Sequence, residues 1–355
     1  MEQDNFELHI ADFDTPIYKA ATSMQENYII VTHVPSGNKK EFSNKTEFYG
    51  GWKNKDGGWL ADINFDRVES GKEPFLVEDF EIEELSRLTD EVDNHVEEAL
   101  KGIDYSVGKL KKLVPANDYQ LVIGGKENFR YDLAQEVPYK GQRVEKPLIF
   151  AELRDAFLRK YASKIFIAEG READDYLSEK GYENYRHFMK TGVWKYCLSY
   201  IDKDIDMVVS PHVNPNKPEL GIIYNSPLEA AKCYASQLLT GDKSVDNILG
   251  LPSLTEDIRD KYGIKKTNGL GKATADKLLD PCDTPKECFE RVVEAYKSYY
   301  GPRKKHTFTN FRDEELKWGW KDFLSERANL LWMYRTEDCK YDIFEDTFKG
   351  LGVKV

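Results

Sequence analysis

The chain has 355 residues, 40% of them apolar and 32% charged, and its 51 Lys and Arg against 63 Asp and Glu leave a formal charge of −12. That apolar share excludes a disordered chain, no run nears the roughly 18 to 20 apolar residues of a membrane span, and the length allows one large α/β domain or two ordinary ones. Five cysteines without a CxxC pair and six scattered histidines argue against disulfides, thiolate zinc and a Cys nucleophile.

In chain order, the first predicted element is a strand over 6–11, FELHIA, which ends in Asp12-Phe13-Asp14. The opening MEQDNFELHI has no basic region followed by an apolar run, so no secretory signal is expected and the protein is expected in the cytoplasm. Residues 34–60, with VPSGNKK, YGGW and KDGGW, read as a loop-rich insertion whose Trp and Tyr imply packing against something. Residues 61–104 hold 15 acidic and four basic residues, a local charge of −11. Within that stretch Phe80, Ile82, Leu85, Leu88, Val92, Val96 and Leu100 recur at a spacing that predicts an acidic helix.

A second strand is predicted over 119–125, and a helix after Pro147 carries Phe150, Leu153, Phe157 and Tyr161 on one face. Strands over 164–168 and 196–201 follow, with MVVS and GIIY as further short candidates. From 227 to about 300 the pattern is helical throughout. Alternating strands and helices predict an α/β fold with a mainly parallel central sheet flanked by helices, joined to a helical subdomain. Six basic residues in 259–278, Arg259, Lys261, Lys265, Lys266, Lys272 and Lys277, face only Asp260 and Asp276, which allows a phosphate-binding surface there.

The chemistry lies in acidic residues at strand ends. In an open α/β sheet the functional crevice forms outside the carboxyl ends of the strands. Here the strand 6–11 leads into Asp12 and Asp14, the strand 164–168 into Glu172-Ala173-Asp174-Asp175, and the strand 196–201 into Asp202-Lys203-Asp204. A fourth group, Gly241-Asp242 with Asp246, opens the helical part, and its two acids share a face if that piece is helical. Carboxylates gathered this closely raise one another's pKa and need cations, and an all-oxygen set suits Mg²⁺ or Mn²⁺. Two such ions are a known solution for phosphodiester hydrolysis.

These motifs, with Tyr139-Lys140-Gly141-Gln142-Arg143 before the acidic pair and Gly269-Leu270-Gly271-Lys272-Ala273-Thr274-Ala275 after Asp246, resemble the 5′ nuclease (flap endonuclease) superfamily. The likeness is greatest to the 5′-3′ exonucleases of tailed bacteriophages. It implies a PIN-like nuclease core over 1–225 with an acidic insertion at about 30–110. It further implies a helix-three-turn-helix DNA-binding subdomain over 226–300, and a C-terminal helical extension over 301–355 would pack on the core. The implied activity is a metal-dependent 5′-3′ exonuclease or flap endonuclease, with water as nucleophile. Asp12, Glu172 and Asp174 would surround one metal ion, and Asp175, Asp202, Asp204, Asp242 and Asp246 the second. Lys140 and Arg143 would contact the scissile phosphate, and Tyr139 would stack on a terminal base. Gly269, Gly271, Lys265, Lys266 and Lys272 would grip duplex phosphates, with a monovalent cation such as K⁺ in the turn. The implied partners are DNA with a 5′ end, flap or RNA–DNA junction and phage replication proteins, in the host cytoplasm if the chain is phage-encoded.

The chain departs from that pattern in four places. The strand 119–125 ends in Gly124-Gly125 where the family places a metal-site Asp opposite Gly125. Val245 reads as an insertion between Asp242 and Asp246, about 15 extra residues over 253–267 precede Gly269, and 15–118 is longer than the core requires. Two rival readings keep their place. Asp12-Phe13-Asp14-Thr15 and Gly241-Asp242 through Asp246 also fit the motifs of a haloacid-dehalogenase-type phosphatase, in which Asp12 would be a covalent nucleophile. The Gly125 departure suits a protein that binds DNA ends or branches without cutting.

Overall fold

The computed structural model describes residues 5–51, 57–90, 92–141, 145–243, 245–333 and 341–355. Its strands are β1 (Phe6–Asp12), β2 (Gln25–His33), β3 (Asn38–Phe42), β4 (Phe80–Leu88), β5 (Ala116–Gly124), β6 (Ile165–Ala168), β7 (Tyr196–Ser199), β8 (Pro211–Val213) and β9 (Ile223–Tyr224). Two hairpins follow, β10 (Gly241–Asp242) with β11 (Ile248–Leu249) and β12 (His306–Thr309) with β13 (Glu315–Trp318). The helices are α1 (Asp14–Thr22), α2 (Lys45–Tyr49), α3 (Trp59–Glu69), α4 (His95–Leu113), α5 (Arg130–Leu133), α6 (Phe150–Lys160), α7 (Ala173–Thr191), α8 (Pro227–Thr240), α9 (Glu256–Tyr262), α10 (Lys272–Leu279), α11 (Pro285–Tyr300) and α12 (Trp320–Leu331).

The chain divides into two compact units, one of Met1–Thr15, Ser106–Glu145 and Tyr161–Val355, the other of Pro16–Tyr105 and Lys146–Lys160. The first unit contains a six-stranded sheet in the order β6-β5-β1-β7-β8-β9. Strands β6, β5, β1, β7 and β8 run parallel, and β9 is antiparallel at the edge. Registers of Asp12 with Val122, Ala11 with Ser199 and Gly124 with Ala168 bring the carboxyl ends of β6, β5, β1 and β7 near one level. The chain runs from β5 outward to β6 and then returns to β7 on the other side of β1, so β1 marks the reversal of strand order where such sheets open a crevice.

Helices flank this sheet, and α7 packs on β1, β5, β6 and β7. One buried cluster joins Ile10 and Val122 of the sheet to Leu177 of α7, Leu238 and Leu239 of α8, Val292 and Tyr296 of α11, and Leu324 and Ala328 of α12. The helical segment and the C-terminal segment therefore share one core with the parallel sheet. Helix α8 starts in a reciprocal cap, in which Ser226 Oγ accepts the Glu229 N–H and the Glu229 carboxylate accepts the Ser226 N–H, with Pro227 in the first turn.

The second unit has its own sheet, β3-β2-β4, wholly antiparallel. Ile29 and Val31 point from β2 into a core with Phe42, Phe48 and Leu60, and Tyr49, Trp59, Phe75, Phe80 and Ile82 pack against it. This accounts for the aromatic content of the segment read as loop-rich, which also contains β3 and α2.

Three sequence expectations are corrected. Residues 80–88 are a strand and not a helix: Phe80 and Ile82 alternate with Glu81 and Glu83, and pairing with β2 selects the two-residue period over the helical one. The segment after 300 begins with the β12–β13 hairpin, in which Phe308 and Trp318 meet edge to face at 5.1 Å, and only then becomes helical. The piece holding Asp242 and Asp246 is the β10–β11 hairpin, so the condition under which the two acids would share a helical face is not met. Among the described residues no helix is long and apolar enough to cross a membrane.

Candidate functional site

Strand β1 delivers Asp12 as its last residue, and the carboxylate caps the turn that follows by accepting the Asp14 N–H at 2.9 Å. Beside it β5 ends in Gly124, and Gly125 follows. Gly124 N–H donates to Asp14 Oδ2 at 2.8 Å, and a Cβ on Gly124 would lie 3.0 Å from that same oxygen. A Cβ on Gly125 would fall 2.7 Å from Ala168 O and 2.8 Å from Glu169 Cα, so no side chain fits there. The strand end that lacks an acid in the sequence is thus met at Gly124 by Asp14, the first residue of α1.

Glu172 caps helix α7, and Asp174 lies in its first turn, where the helix dipole favours negative charge. Asp202 accepts the Asp204 N–H at 2.9 Å and starts the turn after β7. These acids press on one another. Asp12 is pushed up to about 8, first by burial and then by the Asp14 charge, with Asp202 and Glu172 adding to it. Asp174 is held well above the usual carboxylate range by burial and by Asp12, Asp202 and Glu172. Asp204 is pushed up to about 7 by burial and then by Asp202 and Asp242, against a hydrogen bond from Gln237. Asp246 is raised by burial, and Lys140 opposes the rise.

Lys140 enters this group from the Tyr139-Lys140-Gly141 segment. Its side chain is 5% exposed, its ammonium pairs with Glu172 and lies 3.4 Å from Asp246 Oδ1, and its N–H donates to Asp246 O at 2.9 Å. Its backbone is left-handed, with φ at 55°, a conformation that side chains other than glycine adopt at a cost. Asn128 Nδ2 donates to Glu172 Oε1 at 2.8 Å.

Two expected site residues stand elsewhere. Asp175 is fully buried, and both of its oxygens accept from Arg130, Nη1 to Oδ2 at 2.8 Å and Nη2 to Oδ1 at 2.7 Å. It also accepts the Glu172 N–H at 3.0 Å, so it fixes the start of α7 and has no oxygen facing the other acids unpaired with Arg130. Tyr139 is 3% exposed; its hydroxyl donates to Asp246 Oδ2 at 3.0 Å and its ring meets Tyr131 edge to face at 5.6 Å. A ring so enclosed offers no face to a terminal base. Arg143 lies outside the described residues.

Asp242 and Asp246 sit on the β10 end and the turn of the β10–β11 hairpin, where Val245 N–H lies 3.3 Å from Asp242 Oδ1. Lys265 and Lys266 are exposed in the connection between α9 and α10. Gly269 and Gly271 close that connection, with Leu270 N–H on Pro252 O at 3.1 Å and Gly271 at the start of α10. Lys272, first residue of α10, pairs with Asp276 at 2.8 Å.

Sequence reading missed Arg130, whose partners Asp175, Leu330 and Trp332 are all remote in the chain, and it singled out neither Glu326 nor Arg327. As the side chains stand, no group of three or more His, Cys, Asp or Glu among the described residues forms a ready metal-binding set. No protein-family model matches the chain, and no curated protein matches it.

Proposed function

We propose that this chain is a divalent-metal-dependent 5′ nuclease, a 5′-3′ exonuclease or flap endonuclease that hydrolyses phosphodiester bonds near 5′ ends of duplex or branched DNA. One observation supports this above the others. At the carboxyl ends of a parallel sheet, burial and neighbouring carboxylates hold Asp12 of β1, Asp174 of α7 and Asp204 after β7 above the usual carboxylate range, and the Lys140 ammonium stands between Glu172 and Asp246. A phosphatase built on Asp12 and Asp14 alone leaves Glu172, Asp174 and Lys140 without a task.

The donor set fits hard divalent cations: it is carboxylate oxygen without His or Cys, and carboxyls held above their usual range by burial and mutual repulsion are those a dication would relieve. Asp12, Glu172 and Asp174 would hold one Mg²⁺ or Mn²⁺, and Asp202, Asp204, Asp242 and Asp246 the other. Asp175 would orient Glu172 and Asp174 through the helix start. Bound ions would supply charge compensation on the phosphate and a water of lowered pKa. Lys140 would place a positive charge on the scissile phosphate as it gains charge in the transition state. The α9–α10 connection, with Lys265, Lys266 and Lys272 around Gly269 and Gly271, would act as a helix-three-turn-helix that holds duplex phosphates without reading sequence, with K⁺ as a candidate ion in the turn. The sheet and α7 would then be a PIN-like core, and phage replication proteins are candidate partners.

The test is cleavage of a 5′-labelled duplex and a matching flap by the wild type and Asp204→Asn, in Mg²⁺ and in EDTA. Metal-dependent 5′ products from the wild type alone are expected, and their lengths separate exonuclease from flap cutting. Equal cleavage by Asp204→Asn would overturn the metal site, and salt-sensitive binding without cleavage would make the chain a DNA-end binder.

A further inference from the structure

Residues 134–141, which carry Tyr139 and Lys140, have no helix or strand of their own; α5 ends at Leu133 and the next regular element among the described residues is α6. Fixing an irregular segment costs conformational entropy at every residue, and a left-handed Lys140 persists only if its surroundings over-determine it. At its far end the segment is tied to the β10–β11 hairpin, through Lys140 N–H on Asp246 O and Asn247 Nδ2 on Pro138 O at 2.9 Å. Its near end is held by residues almost 200 positions later. Glu326 Oε1 on α12 accepts the N–H groups of Gln135 at 2.5 Å and Glu136 at 2.7 Å. Arg327, 2% exposed, donates through Nη2 to both oxygens of Glu136 at 3.1 and 3.0 Å and to Tyr300 Oη at 2.8 Å. Arg312, in the β12–β13 turn, donates to Ala134 O at 2.7 Å.

Both Glu326 and Arg327 lie on a helix whose buried positions are otherwise apolar, Trp320, Phe323, Leu324, Ala328, Leu330 and Leu331. Two ionisable groups there incur a desolvation cost that packing alone would not select, and burial pushes the Glu326 carboxyl up to about 7. What Glu326 gains is two backbone N–H groups of the irregular segment, and what Arg327 gains is the Glu136 carboxylate of that segment together with the Tyr300 hydroxyl.

We infer that Glu326 and Arg327 of the C-terminal helix are positioning residues for Lys140, holding the 134–141 segment so that its ammonium stays between Glu172 and Asp246. The consequence for catalysis rests on the nuclease reading; the consequence for the position of Lys140 does not. The C-terminal segment is then part of the site's framework and not an appendage to it.

The test compares Glu326→Ala with Glu326→Gln in the full chain. Glutamine keeps an acceptor oxygen for both amides and alanine keeps none. Two readouts are independent of activity: the rate at which an amine-acylating reagent labels Lys140, read by peptide mass spectrometry, and hydrogen exchange of the amides in 134–141 against those of β1 and β5. Glu326→Ala is expected to speed labelling of Lys140 and exchange in 134–141 while β1 and β5 stay protected, and to lower kcat/KM on 5′-ended DNA by about tenfold or more through misplacement of the cation. Glu326→Gln is expected to track the wild type in all three. Faster exchange at 135 and 136 with Lys140 labelling unchanged would overturn the inference, as would a Gln variant that behaves like Ala. If Glu326→Ala does not fold, Arg327→Lys serves, because one ammonium cannot replace Nε and Nη2 on Glu136 together with Nη1 on Tyr296 Oη and Nη2 on Tyr300 Oη; unchanged Lys140 labelling there would equally overturn it. Should the wild type neither cut nor bind DNA, the nuclease reading fails while labelling and exchange still decide the positioning role.

Discussion

Arg130 and Asp175 form a two-pronged ion pair whose side chains are 1% and 0% exposed, and Arg130 Nε and Nη2 continue to Leu330 O at 2.8 Å and Trp332 O at 2.9 Å. One guanidinium therefore joins the first turn of α7, which carries Asp174, to the end of α12.

Breaking a buried pair by removing one partner leaves an uncompensated charge, so Arg130→Ala is expected to lower unfolding free energy by about 3–5 kcal/mol. Asp175→Asn removes the other partner and should also destabilise. Asp204→Asn should do the opposite in the metal-free protein, because it takes a charge out of a mutually repelling group. Urea unfolding of the three variants in EDTA checks this; an Asp175 variant as stable as the wild type would mean that Arg130 is satisfied by the carbonyls alone.

The acidic group also sets a pH dependence. Asp12 goes from 3.8 to about 8 on folding and Asp204 from 3.8 to about 7, so both bind a proton more tightly in the folded state. Their contribution is complete below about pH 4 and is lost as pH rises towards 8. Metal-free wild type should lose stability across that window more steeply than Asp12→Asn, and Mg²⁺ should raise the wild-type Tm more at pH 8 than at pH 5. Thermal melts of both proteins in EDTA and in Mg²⁺ test it; parallel curves for wild type and Asp12→Asn would contradict it.

Gly124 and Gly125 should respond differently to a methyl group. Gly125→Ala drives Cβ into the backbone of Ala168 and Glu169, while Gly125 N–H also holds Ala168 O at 2.9 Å, so a loss of about 1–3 kcal/mol or more is expected. Gly124→Ala meets the end of the Asp14 side chain, which can move. Its stability cost should be smaller, and on the nuclease reading its effect should appear in Mg²⁺ affinity, measured by titration calorimetry. Equal destabilisation by both would show that Asp14 is as rigid as backbone.

DNA binding, if it rests on phosphate contacts, should weaken with salt, and Lys265→Ala should reduce the slope of log K against log salt by about 0.9 without altering sequence preference. Lys272→Ala should cost less, because Asp276 already competes for that ammonium at 2.8 Å. Anisotropy titrations over a range of salt distinguish the two lysines, and a salt-independent affinity would exclude the phosphate account.

Much of the frame was legible in the amino-acid order. The strands ending near Asp12, Ala168 and Ser199 are short apolar runs, and their alternation with amphipathic helices is enough to call for a parallel sheet whose carboxyl ends share an edge. The acids that follow those strands are brought together by that pattern alone. The FEIEEL stretch was not legible, since Phe80 and Ile82 fit a two-residue period while Leu85, Leu88 and Val92 continue a helical one, and only pairing with β2 decides between them.

At the site the dividing line is between position and partner. Chain order by itself determined that Asp12, Glu172, Asp174, Asp202 and Asp204 arrive at one edge of the sheet. Tertiary structure alone decided that Asp175, one residue from Asp174, is the buried partner of Arg130, that Tyr139 is enclosed, and that Asp14 meets Gly124 while the backbone of Ala168 and Glu169 closes on Gly125. Sequence records which group a residue carries and the local element that presents it. Whether a carboxylate meets a cation, a backbone N–H or other carboxylates depends on groups brought from elsewhere in the chain, 45 residues away for Arg130 and Asp175 and 110 for Asp14 and Gly124, and only folding sets those distances.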